Sequence, residues 1–488
     1  MTPANDITHP QQYIMHTTVM QNTPVEQIAA MLEAQRAFFR SGTTLDLKFR
    51  RRMLEKMLAA MDKWEQPLAE ALWTDLHKSY EEAYLTELSI VKGEIRNHLG
   101  HLGRWARPRL KATPLKMFPS VSRIVSEPLG NTLIIAPWNY PVQLLLNPLV
   151  GAISAGCTAM LKPSPYVPNV SLVLEQMIAD TFPKEYISVA QGNRDVNRTL
   201  LEHRFDLIFF TGSPALGRKV MEAASRHLTP VVLELGGKSP CIVDCDADIT
   251  VAAKRIAWGK TLNAGQTCIA PDYLLIHESV KDRFVQAFAR AVSELHGNDI
   301  ARSRHYVRMV NDHAFARVSG YMADGTVLYG GRTDAAERFI EPTLLDTGMH
   351  LPVAEAEGRS AGKPVLEEEI FGPILPVVTF KEQNDMLQYI ATGEKPLALY
   401  YFGRKGKGWE TVRRTSSGGA CINDTIMHIA NENIPFGGVG NSGMGRYHGE
   451  ESFRAFSHQR SVVYTTTWFD LPFRYMPYRM FGLVKKII

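Results

Sequence analysis

Cysteine is scarce: five residues in 488, at positions 157, 241, 245, 268 and 421, too few and too scattered for a disulfide framework. That scarcity favours a reducing compartment, and the cytoplasm is the simplest expectation. Cys241 and Cys245 have no second His or Cys pair nearby, so no metal site is expected. Long apolar runs are missing too: none reaches the roughly 18 to 20 residues of a spanning helix. Residues Met1 to Met20 lack a basic start followed by an apolar stretch, so no secretory signal is expected. Neither sign of charge dominates, with 54 Lys and Arg against 50 Asp and Glu, which gives nucleic acid nothing to recognise. Internal repeats and low-complexity tracts are absent as well.

What remains is an ordinary globular composition, 45% hydrophobic and 21% charged, in a chain too long for one hydrophobic core. Thr23-Pro24-Val25-Glu26 reads as a capping box, and Ile28, Met31, Leu32 and Phe39 then recur at helical spacing until Ser41-Gly42. Helical runs follow from Asp46 to about Lys78 and from Glu82 towards Trp105. Beyond Pro108, short apolar runs alternate with helical stretches: Thr132 to Ala136, Ala159 to Leu161, Leu207 to Phe210, Val231 to Leu233 and Cys241 to Val243. The alternation predicts an α/β fold with a parallel sheet covered on both faces. A second α/β region follows Asp248, with strands near Tyr273 to His277, Thr326 to Tyr329 and Pro376 to Phe380.

Cys268 sits in the small-residue turn Asn263-Ala264-Gly265-Gln266-Thr267-Cys268-Ile269-Ala270-Pro271, which can present a thiol in a cleft. Taken alone, a buried structural cysteine is the commoner outcome. Glu234 ends the apolar run Pro230 to Leu235, where a carboxylate is costly unless it serves as a base or pairs with a lysine. Asn139 follows the run Leu133 to Ala136 between Pro137 and Pro141, and it reads either as an amide donor over a reacting oxygen or as an ordinary turn asparagine. Phe209-Phe210-Thr211-Gly212-Ser213-Pro214-Ala215-Leu216-Gly217 passes from strand to helix, as a phosphate-binding turn does, but its glycine spacing departs from the usual dinucleotide fingerprint.

These four stretches occur in order with Leu161-Lys162-Pro163-Ser164, Glu368-Glu369-Ile370-Phe371-Gly372-Pro373 and Pro435-Phe436-Gly437-Gly438-Val439-Gly440-Asn441-Ser442-Gly443-Met444-Gly445. Together they resemble the aldehyde dehydrogenase superfamily from roughly Val25 to the end. The stretches Gly265 to Tyr273, Asn423 to His428 and Gly440 to Gly449 are similar to its class 3 branch, which includes fatty and coniferyl aldehyde dehydrogenases.

The resemblance implies a Rossmann-like cofactor domain over 1–109 and 129–236, an α/β catalytic domain over 237–441, and a small β oligomerisation extension with the tail over 110–128 and 442–488. It implies oxidation of an apolar aldehyde to the acid by NAD or NADP, in a homodimer. Cys268 is then the nucleophile, Asn139 and the Cys268 N–H hold the oxyanion, and Glu234 activates the hydrolytic water. Lys162 is assigned to the adenosine ribose, Gly212, Ser213 and Gly217 to the pyrophosphate turn, and Glu369 to the nicotinamide ribose. Phe371, Trp138 and Ser164 complete the cofactor contacts. Many class 3 members have glutamate three residues after that lysine, accepting from the ribose 2′-hydroxyl; here the position is Pro165, which removes a penalty against NADP. His428 falls in a class 3 substrate loop but is left out of the catalytic set. The tail Trp468 to Ile488 mixes aromatics with Arg474, Arg479, Lys485 and Lys486; packing on the protein or a partner subunit is expected, with peripheral membrane contact as the alternative. Two rivals stand beside the oxidation to acid: transfer of the thioester to coenzyme A, against which Glu234 argues, and a fold kept without activity.

Overall fold

The computed structural model describes residues 21–353, 358–471, 475–478, 481–482 and 485. The stretch Met1 to Met20, where no secretory signal is expected, and tail residues Phe473, Arg474, Arg479 and Lys486 lie outside them. Two sheets organise the rest.

The first has six strands. Asn131–Ile135 lies inside it, with Thr158–Lys162 and then Ile187–Val189 on one side, and Leu207–Gly212 and then Val231–Leu235 on the other. These five are parallel, and the two-residue strand Gly443–Met444 adds antiparallel to Val231–Leu235. The chain reverses its direction of travel between Asn131–Ile135 and Leu207–Gly212. In an open parallel sheet a ligand crevice opens beyond the carboxyl ends of the strands at such a switch point. Trp138 and Asn139 lie in the loop after Asn131–Ile135, and Ser213 directly follows Leu207–Gly212.

The second sheet runs Thr326–Tyr329, Thr343–His350, Ile374–Phe380, Tyr273–His277, Pro240–Val243, Ala398–Phe402 and Gly419–Ile422, parallel except at its first strand. Both sheets are fully apolar at their centres, for example Leu274, Leu275 and Ile276, as strands buried on two faces must be. A third, antiparallel sheet joins Arg109–Lys111, Ser120–Pro128 and Ser457–Thr465.

Helices Leu47–Lys63, Glu65–Leu76 and Ser89–Trp105 bury Met57, Leu72 and Ile95 in the main core, which also contains Leu145, Leu149 and Phe209. Each such side chain contributes about 1.5–3 kcal/mol through burial.

Local sequence is misleading at the start of the first helix. Thr23 does not cap the first helix, Val25–Arg40; its hydroxyl accepts from Gln191 N–H at 2.9 Å and so ties the chain to the end of the first sheet. Past residue 442, Gly443 and Met444 pair with Glu234 and Leu233, and helix Glu450–Ala455 lies against helix Gln143–Ala155. The C-terminal strand of the third sheet starts at Ser457.

Among the described residues, no helix is long and apolar enough to cross a membrane, and no group of three or more His, Cys, Asp or Glu is placed to hold a metal ion.

Candidate active site

The carboxyl ends of the first sheet face the amino ends of second-sheet strands. Glu234 ends Val231–Leu235, Cys268 precedes Tyr273–His277 by five residues, and Glu369 precedes the neighbouring Ile374–Phe380 by five. Trp138, Asn139, Gly212, Ser213, Glu234, Cys268, Glu369 and Phe371 line one cleft of about 740 Å³.

Cys268 is half-buried at the end of an unusual turn. Asn263, Ala264 and Gly265 are all left-handed, with φ of 51°, 51° and 72°. A left-handed residue with a Cβ costs about 1–2 kcal/mol, so the surroundings must hold this turn. Asn263 Nδ2 donates to Asn139 O and to Gln266 O, both at 3.0 Å, and the buried Gln266 side chain bonds Asn263 O, Arg308 O and Val310 N–H at 3.1 Å. A Cβ at position 265 would stand 2.3 Å from Gly372 O, so only glycine fits there. Burial pushes the Cys268 thiol well above its ordinary pKa, and the charges of Glu234 and then Glu369 push the same way, while the N–H groups of Cys268 and Ile269 oppose them.

Glu234 is 2% exposed, and neither of its carboxyl oxygens hydrogen-bonds to the protein. Burial, aided by Glu369, raises its pKa to about 8. A buried acid without partners, beside a thiol, is a strongly perturbed group in a cleft, the signature of a candidate functional site. Glu369 is likewise raised to about 8, by burial first and then by Asp272. Its loop is pinned by Lys238, which donates to Asp272 and to Glu368 O at 2.5 and 2.7 Å, and by Arg317, which donates to Ile370 O at 2.8 Å. Glu369 can lie this close to the Glu234 strand because position 236 is glycine: a Cβ there would stand 2.1 Å from Glu369 Oε2.

Asn139 is buried, and its Nδ2 donates to Gln266 O at 3.0 Å, leaving the second amide N–H for another acceptor. Trp138 and Phe371 meet edge to face, ring centroids 5.4 Å apart, with Phe371 held at φ 50°.

Three expected cofactor contacts stand apart from the cleft wall. Gly217 is buried in helix Pro214–Ser225, where a Cβ would stand 2.7 Å from Leu235, so its lack of a side chain allows close helix–strand packing behind the turn. Lys162 is 1% exposed and donates to Pro163 O at 2.7 Å, its pKa lowered by burial to about 8. Ser164 is buried beside it and accepts from Tyr166 N–H at 3.3 Å. His428 is half-buried against Cys421, Sγ to Nδ1 3.4 Å, and desolvation lowers its pKa to about 4.

Sequence reasoning missed the cleft residues Arg218, Lys238, Arg317 and Lys395. Lys238, next to Gly236-Gly237, carried the only signal.

A family model described as the aldehyde dehydrogenase family matches residues 3–462. The chain belongs to the aldehyde dehydrogenase family. The enzyme is 44% identical to 4,4'-diaponeurosporen-aldehyde dehydrogenase of Staphylococcus aureus, over 91% of this chain and 95% of the relative. It is 42% identical to the dimeric NADP-preferring aldehyde dehydrogenase of Canis lupus familiaris, over 90% and 95%, and 43% identical to aldehyde dehydrogenase family 3 member A2 of Rattus norvegicus, over 88% and 86%. A solved structure described as the substrate-bound state of Staphylococcus aureus AldH superposes with a TM-score of 0.90 at 42% identity, covering 94% of this chain and 99% of that one. The enzyme thus oxidises aldehydes to acids, and the α/β architecture with a Rossmann-like sheet is the family's.

Proposed function

We propose that Cys268 is the nucleophile, Asn139 and the Cys268 N–H receive the oxyanion, and Glu234 is the base for thioester hydrolysis in the oxidation of an apolar aldehyde. The supporting observation is their convergence: loops from both sheets bring Cys268, Asn139, Glu234 and Glu369 to one cleft.

The thiol sulfur adds to the aldehyde carbon, and the charge that develops on oxygen falls where the free Asn139 N–H and the Cys268 N–H stand ready. The thioester then needs a water whose proton Glu234 takes, and a carboxyl with a pKa of about 8 holds a useful basic fraction near neutrality. That base distinguishes hydrolysis from acyl transfer to coenzyme A.

The residues present fit a dinucleotide. Gly212, Ser213, Pro214 and Ala215 bring a helix start to the cleft wall, and Glu369 is a carboxylate suited to ribose hydroxyls, in a loop given room by Gly236. The chemistry that bound NAD or NADP supplies is hydride acceptance. Glu369 would hold the nicotinamide ribose, Trp138 and Phe371 would flank the ring, and Lys162 with Ser164 would serve the adenosine end once Lys162 leaves the Pro163 carbonyl. With Pro165 in place of an acceptor for the 2′-hydroxyl, NADP is used at least as well as by an NAD-preferring relative; a large preference for NAD in kcat/KM contradicts this.

We also place the enzyme in the cytoplasm, on its sparing and unpaired cysteines, and read it as a homodimer with the cofactor domain at 1–109 and 129–236 and the catalytic domain at 237–441. Exposed Trp468, Met476 and Phe481, at 84%, 79% and 65%, keep a peripheral membrane contact of the tail among the proposals, tested by flotation with anionic vesicles.

The primary experiment follows NAD(P) reduction with hexanal, decanal, benzaldehyde and coniferaldehyde. Activity is expected with the parent enzyme and loss of at least a thousandfold in Cys268→Ala; full activity in that variant refutes the reading.

A further inference from the structure

The segment Lys78 to Glu87 lies outside the cleft, yet three of its charged side chains reach the two loops that carry Asn139 and Cys268. Lys78 and Glu87 are both fully buried and form an ion pair at 2.6 Å. Lys78 Nζ also donates to Asn139 O at 3.0 Å and stands 4.2 Å from the centre of the Tyr140 ring, whose hydroxyl bonds Thr267, the residue before Cys268, at 2.7 Å. The second Glu87 oxygen accepts from Val142 N–H at 2.8 Å and Gln143 N–H at 3.3 Å, at the start of helix Gln143–Ala155. Glu82 accepts from Asn263 N–H at 2.8 Å, the first residue of the left-handed turn. Lys78 lies in the turn before the helix, whereas Glu82 and Glu87, five residues apart, are linked through the π-helical stretch Tyr84–Leu88, a local rearrangement that often marks function.

We infer that Lys78, Glu82 and Glu87 form a clamp that fixes the Asn139 loop against the Cys268 turn, making them positioning residues for the oxyanion donors. Burying such an ion pair contributes little net stability, because desolvation offsets the attraction. What the pair supplies is location. Lys78 anchors one carbonyl, Glu87 anchors the following amides, and Glu82 anchors the opposite loop. The amide of Asn139 and the N–H of Cys268 are thereby held at a set separation, and donors aimed at developing charge lose their effect when displaced by about 1 Å.

The inference rests on the roles given above to Asn139 and Cys268, so Asn139→Ala serves as the reference. It is expected to lower kcat/KM for the aldehyde by roughly 10²–10³, the usual effect of removing one oxyanion donor. Lys78→Met with Glu87→Gln, which removes both members of the ion pair together, is expected to lower it by about 30–100-fold while the Kd for NAD(P), read by fluorescence quenching, stays within about twofold. On the Asn139→Ala background the same pair is expected to cost less than about threefold, since the donor it positions is gone.

Glu82→Leu tests the opposite arm without breaking an ion pair, so it remains informative if the double variant fails to fold. It is expected to lower kcat/KM about tenfold, with the same loss of effect on the Asn139→Ala background, and Glu82→Gln, which keeps an acceptor for Asn263 N–H, is expected to recover most of that. Equal losses with and without Asn139, or a parental rate in both the double variant and Glu82→Leu, overturn the clamp. A parental rate in Asn139→Ala strikes the oxyanion role itself and removes the purpose of the clamp.

Discussion

Glu234 illustrates how a single carboxyl can be costly for the fold and useful for the reaction. With a native pKa of about 8 against 4.5 when unfolded, it is protonated in the fold and ionised in the unfolded chain between those values. Folding therefore takes up a proton, and its contribution to stability falls as pH rises through that window. Glu234→Gln is expected to show a shallower fall of Tm between about pH 5 and 8 than the parent, measured by calorimetry. The same shift sets the rate. Hydrolysis of the thioester by the parent is expected to rise with pH and level off above about pH 8, whereas the variant keeps a pre-steady-state burst of reduced cofactor but loses turnover by roughly 10²–10⁴. An unchanged steady-state rate removes Glu234 from its role. At this scale the sequence is informative where chemistry is concentrated in a short motif, as around Cys268, Glu234 and Asn139. Lys78, Glu82 and Glu87 were invisible, because charges in a helical run look like a solvated face and only the tertiary fold turns them inward.

Elements were legible where Gly, Pro or Asn bounds an apolar run. Tyr273–His277 and Thr326–Tyr329 match the expected spans, and Leu207–Gly212 and Val231–Leu235 extend theirs by two residues. The π-helical stretch Tyr84–Leu88 and the two-residue strand Gly443–Met444 carry no periodicity to read. The Thr23 capping pattern failed because a tertiary partner, Gln191, took the hydroxyl. Close approach between elements was also hidden, and it is testable. In Gly236→Ala the new Cβ would stand 2.1 Å from Glu369 Oε2, so the Glu369 carboxyl must move from its place. The KM for NAD(P) is expected to rise about tenfold with little change in Tm, because one ribose contact of about 1–1.5 kcal/mol is lost and the core is untouched. A KM unchanged in that variant shows that Glu369 does not bind the cofactor.

For the whole molecule, two of the sheet edges matter most. Ser457–Thr465 ends the three-stranded sheet, with Val463 and Tyr464 exposed by 50% and 67%, and Gly419–Ile422 ends the seven-stranded one. An exposed apolar edge strand invites pairing with another chain, and in a twofold dimer each subunit offers both edges. Val462→Lys with Val463→Lys is expected to convert a dimer to a monomer in sedimentation equilibrium; an unaltered mass places the interface elsewhere. The two-sheet architecture itself was foreseen from alternating strands and helices, whereas strand order and the meeting of the two sheets at one cleft depend on long-range pairing that no local pattern encodes.

The most direct measurement is rapid quenching of Glu234→Gln mixed with decanal and NADP, followed by peptide mass spectrometry. The expected result is a decanoyl group on Cys268, accumulating to nearly one per active site as the burst of reduced cofactor completes. Reduced cofactor formed with no acyl group on Cys268, or with the acyl group on another residue, contradicts a covalent path through this sulfur.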